Sequence, residues 1–172
     1  MTTEHRKTNR SIVCLMVAAA FVTLMSTPVL AGGYDNALKG VTGYDAVFEV
    51  TQANPKVANI VFWAVKNAYE VTEVKDLSKS PRIAVVFHGP AVKLISSDKA
   101  PFNEAEWAEV EKFQATLRQM KKEGVNLEVC LYAVEVMEVD KSTIMPEIDQ
   151  VGNGFVSVIG YQMQGYAVVR IP

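Results

Sequence analysis

Thiols and imidazoles are what this sequence has least of: two cysteines and two histidines in 172 residues. A disulfide framework and a typical zinc site are both excluded by that scarcity. The sequence also contains no G-x-S-x-G elbow, no phosphate-binding G-x-x-x-x-G-K loop, no G-x-G-x-x-G fingerprint and no H-E-x-x-H helix. Serine-hydrolase, nucleotide and metalloprotease chemistry therefore find no support, and no cofactor or metal is expected. There is no internal repeat and no low-complexity linker. A formal charge of −2 without a basic stripe argues against nucleic acid as a partner.

No apolar run is long enough to span a bilayer. The run from Ile12 to Met25 is fourteen residues, against about 20 for a transmembrane helix. It follows a basic start (Arg6, Lys7, Arg10) and precedes the small-residue stretch Val29-Leu30-Ala31. Residues 1–31 thus read as a Sec-type signal peptide cleaved after Ala31, with an uncleaved anchor as the alternative. Export implies a periplasmic protein with no membrane attachment after cleavage. It also removes Cys14 and leaves Cys130 as the sole thiol, in an oxidising compartment and without an internal partner.

The remainder divides into a glycine-rich arm, residues 32–43, and one domain, residues 44–172. Tyr44 to Val50 alternates as a strand. Asn54-Pro55 starts a helix running to about Glu70, with Val57, Ile60, Val61, Ala64 and Ala68 on its apolar stripe. Phe62, Trp63 and Tyr69 fall off that stripe, which points either to a subunit interface or to burial beneath a loop. Arg82 to His88 is a nearly continuous apolar run ended by Gly89-Pro90, as in a strand covered on both faces. Asn103 and Glu106 form a capping-box pair, and Phe102 with Trp107 a hydrophobic staple. Trp107, Val110, Phe113, Leu117 and Met120 then mark one helical face, closed by Gly124. Val125 to Cys130 alternates as a strand. Leu131 to Val139 fits strand or helix equally. Ile148 to Val151 reads as a short strand, and Asn153 to Gln164 as a helix with Phe155, Val158, Ile159 and Gln162 on one side. Tyr166 to Ile171 is a terminal strand.

Strands alternating with helices predict an α/β fold, with a mostly parallel sheet covered on both faces. Sites in such sheets gather at the carboxyl ends of the strands. His88 ends one predicted strand and Cys130 the next. A thiolate at a helix start or beside a cation is a nucleophile, and a histidine can serve as its proton partner. The bland readings are a buried structural cysteine and a hydrogen-bonded strand-end histidine. Scattered carboxylates such as Asp45, Glu49 and Glu128 read as solvated positions.

Three segments together resemble the DsrE/DsrF-like family: Val85-Val86-Phe87-His88-Gly89-Pro90-Ala91, Gly124-Val125-Asn126-Leu127-Glu128-Val129-Cys130, and Gly165-Tyr166-Ala167 near the terminal Pro172. The resemblance implies a three-layer α/β/α sandwich on a five-stranded sheet, a helix after Cys130, and homo-oligomers, commonly trimers or hexamers. In sulfur-relay members the cysteine at this strand end accepts a persulfide and passes it to a partner protein, and Cys130 matches that position. The resemblance thus implies a sulfur carrier or transferase acting through Cys130, with His88 in support and a sulfur donor or acceptor protein as partner. A non-catalytic ligand- or protein-binding module of the same fold and a thiol redox sensor are the competing readings.

Overall fold

A computed structural model describes residues 33–172, so the expected signal peptide and its expected cleavage point lie outside the described residues. Five strands form one sheet: β1 (Ala46–Val50), β2 (Ile83–Phe87), β3 (Asn126–Cys130), β4 (Asp149–Val151) and β5 (Ala167–Ile171). They are ordered β4-β3-β2-β1-β5, and every neighbouring pair is parallel. The helices are α1 (Pro55–Glu70), α2 (Thr72–Leu77), α3 (Glu104–Lys122), α4 (Leu131–Val136) and α5 (Gly154–Met163). The chain is thus the α/β fold expected from the alternation of its elements.

The order of strands decides which face each helix covers. From β1 to β4 the chain steps in one direction, and right-handed crossovers place each connection on the same face. The step from β4 back to β5 runs the other way, so α5 crosses the opposite face. Side chains follow suit. Phe48, Val50, Val85, Phe87, Leu127 and Val129 point to the first face and pack with α1, α3 and the start of α4. Val47, Ala84 and Val86 point to the second and, among the described residues, cluster with Val158, Tyr161 and Tyr166. The first face holds the larger core. At its centre Phe62 packs edge-on against Phe113, ring centroids 4.7 Å apart, and stacks on Phe87 at 6.1 Å.

Local signals explain the element ends. Asn54 caps α1 by accepting from the Val57 N–H, with Pro55 at the first helical position. Asn103 and Glu106 close a reciprocal capping box on α3, with hydrogen bonds of 3.0 Å each way. Gly124 then turns the chain at φ +92°, a conformation open to glycine. The segment after Cys130, undecided by pattern, is helical through Val136.

Two helix faces differ from the sequence reading. In α1 the buried residues are Pro55, Ala58, Phe62, Val65 and Tyr69, whereas Ile60 is 61% exposed. The stripe was misassigned because β-branched residues occupy both sides of this helix. The bulkier Phe62 decides the matter, since more apolar area leaves water when its side faces the sheet. Trp63 does stand off the core, 74% exposed. In α5 the buried residues are Gly154 and Val158, and Phe155 and Ile159 face outward.

Candidate functional site

The parallel register sets β2 beside β3, pairing Phe87 with Val129, so the residues that follow each strand end side by side. His88 and Cys130 accordingly lie together at the carboxyl edge of the sheet. Neither is open to water: Cys130 is 3% exposed and His88 5%. Cys130 also occupies the cap position of α4, but its side chain accepts no hydrogen bond there. Tyr132, two residues on, points outward at 66% exposure and does not cover it.

The cover comes from α5. A side-chain carbon built on Gly154 would overlap the His88 ring at Cε1 and lie 2.9 Å from Cβ of Cys130. Backbone at Gly154 therefore presses on both residues, an approach that only glycine permits. The next residue, Phe155, stacks on His88 with centroids 5.0 Å apart and planes 25° from parallel. The Asn153 side chain fixes this turn by accepting from the Phe155 N–H at 3.0 Å.

Burial holds the His88 pKa below its ordinary value, and Glu49 only partly offsets this. The imidazole is therefore neutral at pH 7, and its Nε2 is buried without a hydrogen-bond partner. A neutral, unpartnered imidazole beside a thiol can receive that thiol's proton.

The sequence named His88 and Cys130 but not Gly154 or Phe155. A signal for them was present, since a glycine placed directly after a capping asparagine is a position where close approach is affordable. Two carboxylates differ from the solvated reading. Glu128 accepts a hydrogen bond from the Tyr161 hydroxyl at 2.7 Å, and its other oxygen is buried and unpartnered. Asp45 is bound by Arg82 through both Nε and Nη2, at 3.0 and 2.6 Å, which holds its pKa below the usual carboxylate range. Its solvation gives way because Arg82 directly precedes β2, the neighbouring strand. Among the described residues, no group of three or more histidine, cysteine or acidic side chains could hold a metal, and no helix is long and apolar enough to cross a membrane. A cleft of about 850 Å³ lies at the amino edge of the sheet between Tyr69, Lys79, Arg82 and Tyr166. It is remote from Cys130, and the chemistry of the thiol cannot use it.

The sequence profile of the DsrE/DsrF-like family matches residues 40–171. The chain belongs to that family. Its fold is shared by MTH1491 of Methanobacterium thermoautotrophicum, a protein of unknown function, at 20% identity and a TM-score of 0.56, covering 74% of this chain and 98% of that one. BT1422 of Bacteroides thetaiotaomicron, also of unknown function, is similar at 19% identity and a TM-score of 0.53, over 74% and 94% of the two chains. At such identities the likeness speaks for the fold. No functionally curated protein matches the sequence. Membership of the DsrE family supports a sulfur-relay-type fold.

Proposed function

We propose that this DsrE-like protein is an exported sulfur carrier in which Cys130 accepts a sulfane sulfur as a persulfide. The observation that carries the reading is that Cys130, the free thiol among the described residues, lies at the carboxyl edge of β2 and β3 next to a neutral His88 whose buried Nε2 has no hydrogen-bond partner. The Cys130 proton passes to the imidazole. The thiolate then attacks the outer sulfur of the donor, a new S–S bond forms, and the donor's old bond to that sulfur breaks with the electron pair leaving on the donor. With thiosulfate the leaving group is sulfite, so charge and electrons balance without an external oxidant. The persulfide is itself a nucleophile and can pass its outer sulfur to an acceptor protein.

Export rests on the leader at residues 1–31 and would place the carrier in the periplasm. Homo-oligomerisation is supported by α5, which carries no charged residue and exposes Phe155, Val156, Ile159 and Met163. The burial of Cys130 favours a second reading, a structural thiol in a non-catalytic binding module of the same fold. Intact mass after incubation with thiosulfate or polysulfide separates the two. The carrier gains about 32 Da, one sulfur atom, at Cys130 and nothing in Cys130→Ser. A thiol that stays unmodified under both donors leaves the binding module standing.

A further inference from the structure

The site as folded is shut. Cys130 is packed at the edge of the main core, Gly154 presses on both Cys130 and His88, and Phe155, which covers the His88 ring, is itself 59% exposed. A donor has no access to the Cys130 sulfur in this state, because the residue is only 3% exposed. The cover is also lightly held. Only Gly154 and Val158 of α5 are buried, whereas α3 buries Val110, Phe113, Gln114, Leu117 and Met120. Few buried apolar contacts mark a segment that opens well below the free energy of global unfolding. The closed state also leaves Nε2 of His88 without a partner. Water admitted by opening supplies that hydrogen bond, which narrows the gap between closed and open states.

We propose that the first turn of α5 is a gate over Cys130, with Phe155 as its latch on His88. Chemistry at the thiol runs through the minority of molecules in which Phe155 has left the imidazole and the Gly154 backbone has lifted from Cys130. The biological meaning of the gate rests on the sulfur-carrier reading, but the gate is tested with a reagent that involves no sulfur transfer. An outward apolar residue at the gate also places control where a partner can reach it, since anything that takes Phe155 into its own surface releases the latch.

The test is carbamidomethylation of Cys130 by iodoacetamide, followed by intact mass. The native protein, its urea-unfolded form, Phe155→Ala and Gln162→Ala are compared. An open state populated at 0.1–10% makes the native thiol about 10- to 1000-fold slower than the unfolded one. Losing the stack in Phe155→Ala speeds the native reaction about two- to tenfold. Gln162→Ala, on the same helix, exposed and away from His88, leaves the rate unchanged. A native rate equal to the unfolded rate overturns the gate. So does a native rate that tracks the global unfolding constant across low urea, because the thiol would then be reached only by unfolding the whole domain. A gated alkylation with no persulfide from any donor discards the sulfur reading and keeps the gate. Rapid alkylation with a persulfide does the reverse.

Discussion

Two glycines on α5 should respond to alanine with opposite signs. Gly154 and Gly160 lie in one helix, and neither has a positive φ, so backbone strain does not separate them. Their surroundings do. A methyl at 154 meets the His88 ring and lies 2.9 Å from Cβ of Cys130. Neither neighbour can swing clear, because one is a buried ring and the other is fixed to a strand backbone. Overpacking of this kind costs about 1–3 kcal/mol. Replacing helical glycine by alanine returns about 0.5–1 kcal/mol, less at the first turn. Gly154→Ala should therefore destabilise the protein by about 1–2 kcal/mol. At 160 nothing lies within 4 Å of the added carbon. Only the helix term remains, and Gly160→Ala should stabilise by about 0.5–1 kcal/mol. Equilibrium urea unfolding reads both, with the midpoint carrying the result and an unchanged m-value confirming that the same surface is exposed. A Gly154→Ala protein as stable as wild type would refute the close packing of α5 on the Cys130–His88 pair.

The remaining predictions concern titration and a half-buried carboxylate. Burial lowers the folded pKa of His88 below the unfolded value of about 6.5. Protons therefore favour the unfolded chain: the stabilisation is complete above about pH 6.5 and is lost as pH falls from there through the folded pKa. The loss is at most about 1.4 kcal/mol per pH unit for one group. Urea midpoints from pH 7.5 to 5.5 should fall more steeply in wild type than in His88→Asn, and parallel curves would remove His88 as the cause. Tyr161→Phe takes away the donor seen on Glu128, leaving a largely enclosed carboxylate without its 2.7 Å hydrogen bond. The cost should be about 1–3 kcal/mol in the same assay, and a neutral result would mean that water replaces the hydroxyl freely.

What could be read in advance, and what could not, follows from how far each signal acts along the chain. The capping box at Asn103 and Glu106, the proline after Asn54 and the glycine at 124 are local devices, and each marks its element in the fold as it does in the sequence. Strand order is not local, yet alternation with helices implied a parallel sheet, and that sheet is what brings His88 and Cys130 to one edge. The face of α1 was misread because a helix with apolar residues on both sides is oriented by its partners, here Phe87 and Phe113, which lie far along the chain. The same limit hid the cover on the site. Gly154 matters through contacts with residues 88 and 130, and its own neighbours in sequence carry only the capping Asn153. The strand-end thiol, for which the sequence leaves a buried structural and a reactive role side by side, is a buried one, packed in the main core and pressed from the other side by the helix that the returning strand order sends across the second face. The direction of one crossover, β4 to β5, sets both the thin cover on that face and the access to Cys130.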